Sequence, residues 1–102
     1  MTTTTAPAVW VTERDWRATV VDYATLHGWR VYWTWRSDHS PRGYPDLTLV
    51  RGERLLFAEL KRHDGQLTAH QMAWMTDLER VAGVEVYCWR PAQWPEVQEV
   101  LM

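Results

Sequence analysis

The sequence predicts a mixed α/β fold of the α+β type, a central mixed sheet flanked by helices, with elements in the order αβββαβ. Three features predict it. Two segments carry apolar residues at helical spacing, four runs are rich in β-branched and aromatic residues, and glycine or a turn pair marks most of the junctions between them.

Thr12 is placed to cap a first helix running to about Leu26. Trp16, Val20, Tyr23 and Ala24 supply its apolar stripe, and Gly28 stops it. Trp29 to Trp35 reads as a strand. Arg36 to Tyr44 is a polar loop holding Pro41 and Gly43. Asp46 to Arg51 and Arg54 to Lys61 are two further strands around Gly52-Glu53, and Arg62 to Gly65 is a loop. Thr68 opens a second helix to about Ala82, with Thr68-x-x-Gln71 spaced as a capping box. Gly83 ends that helix, Val84 to Trp89 forms the last strand, and Pro91 to Leu101 has room for one short helix. The strand–helix–strand step over the second helix calls for a parallel pair with a right-handed crossover, while the first three strands can meander antiparallel. There is no internal repeat.

The 102 residues suffice for one domain with a modest core, assigned to 9–102 behind a disordered low-complexity lead over 1–8. Apolar residues at 46% and charged residues at 24% place the chain among water-soluble globular proteins. No apolar run approaches the roughly 18 residues of a membrane span, and the lead lacks the basic start and apolar core of a signal peptide. The one cysteine, Cys88, excludes an internal disulfide and a multi-cysteine zinc site. The default expectation is a reducing, cytoplasmic setting. A net charge of −2 argues against a protein that coats nucleic acid nonspecifically, but not against one that meets a few phosphates through a local patch. Of the 8 tryptophans, Trp16, Trp29, Trp33, Trp74 and Trp89 fall at positions expected to be core or half-core.

The chemistry is expected on the hairpin. With Gly52 first in a two-residue type II′ turn, Arg51 faces Arg54 and Asp46 lies directly opposite Glu59. Directly opposed side chains stand about 4.5–5.5 Å apart at Cβ. Two carboxylates so placed repel unless something positive lies between them. Lys61, the only lysine among the 11 Lys and Arg residues, points to the same face as Glu59. The three could form a plain ion-pair cluster or a divalent-metal site with a lysine beside it. Each helix adds one polar residue to its apolar stripe. Gln71 accompanies Leu67, Trp74, Met75, Leu78, Val81 and Ala82 on the second, and Glu13 precedes Trp16 and Val20 on the first.

Pro45-Asp46 followed by Glu59-Leu60-Lys61 resembles the PD-(D/E)xK nuclease motif. Together with Gly43-Tyr44, Gly65-x-Leu67-Thr68 and Gln71-x-x-Trp74, it resembles the VRR-NUC (virus-type replication-repair nuclease) family over about Glu13 to Arg90. The resemblance implies a restriction-endonuclease-like core, magnesium or manganese as cofactor, and hydrolysis of DNA phosphodiesters. It also implies a homodimer acting on branched DNA such as four-way junctions. Asp46 and Glu59 would hold the metal, with the Leu60 carbonyl as a further ligand and Glu13 approaching from the first helix. Lys61 would orient water or stabilise charge on the phosphate, and Gln71 would position the lysine or the water. Arg36, Arg42 and Arg62 are candidates for phosphate contact. His39, His63 and His70 lack the spacing of a zinc helix motif and are expected at the surface or toward substrate. The rival functions are a nickase or flap-type nuclease and, from another class, a non-catalytic DNA-binding module that keeps the fold.

Overall fold

The computed structural model describes residues 11–34 and 38–102. The expected lead over 1–8 lies outside the described residues, as do Trp35 and Arg36.

The elements are α1 (Glu13–Leu26), β1 (Arg30–Trp33), β2 (Leu47–Arg51), β3 (Arg54–Leu60), α2 (Ala69–Glu79), β4 (Val84–Trp89), a 3₁₀ turn (Pro91–Gln93) and α3 (Trp94–Leu101). The strands lie side by side in chain order. β1–β2 and β2–β3 are antiparallel, and β3–β4 is parallel. The mixed four-stranded sheet flanked by helices therefore forms as the pattern of periods predicts.

α1 begins where Thr12 Oγ1 accepts from the Asp15 amide at 3.1 Å, satisfying a donor that no helical carbonyl can reach. Its stripe of Trp16, Val20, Tyr23 and Ala24 is buried as expected. One face of the sheet, with Leu47, Leu49, Leu56, Ala58 and Leu60, packs with that stripe and with Trp29, Trp89, Trp94, Val97 and Leu101 into a single core. The sequence reading left Trp94 out of this core. Its ring meets Trp16 and Tyr23 edge-on, at 5.8 and 5.2 Å between centroids. α3 is also tied down at its carboxyl end, where the Leu101 carbonyl accepts from Trp29 Nε1 at 2.8 Å and from Arg51 Nη1 at 3.0 Å.

The hairpin has the expected register, Arg51 opposite Arg54 and Leu47 opposite Ala58. Gly52 takes φ +60°, and no described non-glycine residue has positive φ, which is the signature of a type II′ turn. β3 and β4 are joined further by Arg54, whose Nε and Nη2 donate to the Glu85 carboxylate at 2.9 and 2.8 Å.

α2 differs most from expectation. It ends at Glu79 rather than near Ala82, and none of its residues is buried. Trp74, Met75 and Leu78 are half-buried, while Val81 and Ala82 lie in the exposed turn before Gly83. The helix packs chiefly against β4, an edge strand, so only one of its flanks is covered. β1 is the other edge. That explains why Trp33, expected to be core or half-core, is exposed; the strand runs over Arg30–Trp33, without Trp29. No described helix is long and apolar enough to cross a membrane.

Candidate active site

Asp46 immediately precedes β2, and the hairpin register carried one step past Leu47–Ala58 sets it across from Glu59. Its Oδ2 accepts from the Leu60 amide at 2.8 Å, which fixes the carboxylate against the end of β3. Glu59 is the one buried charged residue among those described, 1% exposed, because β3 is an inner strand covered on both faces. Gln71 Nε2 donates to Glu59 Oε1 at 3.0 Å. Glu59 Oε2 is buried and has no hydrogen-bond partner.

A carboxylate in that position holds its proton. Burial pushes the Glu59 pKa up to about 9. The neighbouring Asp46 carboxylate pushes the same way, the charge of Glu13 adds a little, and Lys61 alone opposes. Lys61 directly follows β3, with its amide donating to the Trp89 carbonyl at 3.1 Å. Among the described residues no ion pair joins Lys61 to Asp46 or Glu59. Asp46 is held instead by the Leu60 amide and Glu59 by Gln71, so an ion pair with Lys61 is not the arrangement found.

Gln71 is a capping-box member, as its spacing predicts, and it also reaches Glu59, a contact the sequence reading did not name. Its Oε1 accepts from the Thr68 amide at 2.9 Å while Thr68 Oγ1 accepts from the Gln71 amide at 3.1 Å, closing the capping box. Its Nε2 is the donor to Glu59. One amide has the two ends that both tasks require.

Asp46 and Gln71 open onto a cleft of about 540 Å³, whose lining includes neither Glu59 nor Lys61. Glu13 and Arg17 of α1, Trp33 and Thr34 at the end of β1, the loop over 40–46, and Thr68, His70 and Gln71 at the start of α2 line it. The loop is brought there by Gly43, at φ +92°, where an added Cβ would fall 2.4 Å from the His70 carbonyl carbon. Only glycine permits both that conformation and that approach.

Asp46, Glu59 and Gln71 thus come together, with Lys61 two residues past Glu59 and its charge felt there. Glu13 is exposed on the cleft wall rather than turned inward, at the first turn of α1. Arg42 is exposed on the same wall, and Arg62 is exposed but outside the cleft lining. Arg36 lies outside the described residues. Arg17, Trp33, Tyr44 and His70 were not chosen as site residues from the sequence. For Arg17 a signal existed, since it follows Glu13 by one helical turn and shares its face.

The residues present fit a hard divalent cation. Two opposed carboxylates, one with an unpartnered oxygen, supply hard oxygen donors where negative charge is otherwise penalised. Among the described residues no three His, Cys, Asp or Glu side chains form a complete cage. Magnesium needs none, because it binds through one or two carboxylates and retains several waters. Comparison with known proteins found no matching family model, curated protein or solved structure.

Proposed function

We propose that this chain is a divalent-metal-dependent DNA endonuclease that hydrolyses phosphodiester bonds, using magnesium or manganese. The observation that carries the reading is Glu59, buried with one oxygen unpartnered, opposite Asp46 and two residues before the only lysine. A purely structural site gains little from a buried carboxyl group set opposite a second, half-buried carboxylate, whereas a bound cation would favour both in their ionised form. The resemblance of these residues to the PD-(D/E)xK motif, and of the wider pattern to VRR-NUC nucleases, points the same way. So does the element order, which suits a restriction-endonuclease-like core.

In this mechanism Asp46 and Glu59 would hold the metal, with the Leu60 carbonyl as a further candidate ligand and Glu13 at the cleft wall as an outer acid. The ion, when bound, would supply positive charge that polarises the phosphate and acidifies water. The Leu60 amide holds Asp46 in place, and Gln71 orients Glu59 so that one oxygen stays available. Lys61 carries a compact positive charge on the residue beyond the carboxylate pair, suited to offset charge developing on the phosphate or to orient the attacking water. Arg17 and Arg42 on the cleft wall are placed to meet neighbouring phosphates.

A net charge of −2 favours selection by shape over long-range attraction. Branched DNA, such as a four-way junction, offers a shape with two symmetric cutting positions. A homodimer would present two such sites. The test is cleavage of labelled linear, flap, splayed and four-way DNA in magnesium, manganese or chelator. Metal-dependent cleavage that is fastest on the junction supports the full proposal. Preference for flaps, or single nicks only, moves the assignment to the flap or nickase alternative. Binding without cleavage in either metal replaces the enzyme with a DNA-binding module.

A further inference from the structure

Lys61 lies at the end of its strand, at the start of a loop, and a four-carbon side chain in such a place is costly to order. Its backbone is fixed on one side, because its amide donates to the Trp89 carbonyl. Arg90, the residue just past the end of β4, reaches back across the loop. Arg90 Nη1 donates to the Arg62 carbonyl at 2.9 Å and to the Gly65 carbonyl at 2.7 Å. The Gly65 amide donates to the same Arg62 carbonyl at 3.1 Å, so the turn over 62–65 is closed by its own hydrogen bond and clamped at both ends. The base of Arg90 is itself held, its amide donating to Gln93 Oε1 at 2.9 Å.

The clamped turn lies against the lysine. A Cβ added at Gly65 would stand 3.3 Å from Lys61 Cδ. Arg62, Asp64 and Gln66 are exposed, so most of this segment brings nothing to the core that would justify the clamp. We propose that Arg90 is a positioning residue for Lys61, clamping the turn over 62–65 against the lysine stem and so directing its ammonium group. The importance of Lys61 to catalysis rests on the nuclease reading above; the clamp itself does not. The guanidinium suits the task because one of its NH₂ groups carries two donors in a fixed plane, one for each carbonyl.

Because Lys61 is the only lysine, reductive methylation with ¹³C-formaldehyde places one side-chain NMR probe on it, apart from the α-amine. In the 102-residue protein the wild-type signal should lie away from the free dimethyl-lysine position and be broadened by restricted motion. Arg90→Ala should bring it to the free position and sharpen it, and Arg90→Lys should move it part of the way. Arg80→Ala, which removes an exposed arginine elsewhere, should leave it unchanged. In the cleavage assay Arg90→Ala should lower kcat by roughly 10-fold while KM and the metal midpoint stay within about 2-fold. An unchanged Lys61 signal in folded Arg90→Ala overturns the proposal. If that variant does not fold, an unchanged signal in Arg90→Lys does so. Wild-type protein that cuts no DNA would sink the nuclease reading, and the NMR comparison would still decide the clamp.

Discussion

Glu59 ties stability to pH in a direction opposite to that of a salt-bridged acid. Its folded-state pKa is raised from 4.5 to about 9, chiefly by burial, so the folded form binds a proton that the unfolded chain has released. That contribution is fully present below the ordinary carboxylate range and is lost as pH rises toward the raised value. The metal-free protein should therefore show a melting temperature that falls between about pH 5 and about pH 9, and Glu59→Gln should flatten the slope. Divalent metal should raise the melting temperature most at the alkaline end of that window, because binding favours the ionised carboxylates. A flat profile in wild-type protein would remove the buried protonated carboxylate. Lys61→Arg keeps the charge but brings a larger, planar group that cannot release its proton, so cleavage should drop by about 10²-fold or more. Near wild-type turnover would assign the lysine a generic electrostatic role. Gln71→Glu separates the two duties of Gln71. The carboxylate can still accept from the Thr68 amide, but it cannot donate to Glu59, so the helix should persist while activity falls about 10-fold or more.

At the scale of elements, the hairpin was the most legible part of the sequence. Gly52-Glu53 between two apolar runs defines the register, and the register alone sets Asp46 against Glu59. α1 was legible from its cap and stripe for the same reason, a local pattern with one solution. The end of α2 was not. Its apolar residues continue at helical spacing through Val81 and Ala82, but how far such a stripe is covered depends on neighbours, and α2 lies over an edge strand. The loop into Asp46 was read as polar, with Arg36 and Arg42 as phosphate contacts, but not as packed on α2. That Gly43 abuts the start of α2 is a tertiary contact with no local signature. Gly43→Ala forces both a left-handed conformation and a clash with backbone, and should cost about 1–3 kcal/mol in chemical denaturation. It should also lower cleavage by more than the loss of folded protein explains, because the loop carries Asp46 and the cleft wall. A variant with wild-type stability and rate would mean that the loop and α2 can separate freely.

For the whole molecule, the mixed sheet and its single core followed from the alternation of helical and strand periods. The convergence of Asp46, Glu59 and Gln71, with Lys61 two residues past Glu59, also followed from spacing, because the first two lie on or beside one hairpin and Gln71 opens the next helix. The cleft did not, since Arg17, Trp33, Tyr44 and His70 reach it from four separate segments. The proposed dimer belongs to this scale. Sedimentation under assay conditions should show a dimer, and four-way DNA should be cut faster than linear duplex of the same sequence. A monomer cutting both at equal rates would contradict the junction preference while leaving the metal-dependent chemistry in place. That chemistry is tested most directly by one side-by-side cleavage time course in magnesium, comparing wild-type protein with Asp46→Asn. The substitution removes a charge but keeps an oxygen that can accept from the Leu60 amide, so the fold should be retained or even stabilised in the absence of metal. The account predicts cleavage by the wild type and none by Asp46→Asn; full cleavage by Asp46→Asn would contradict it.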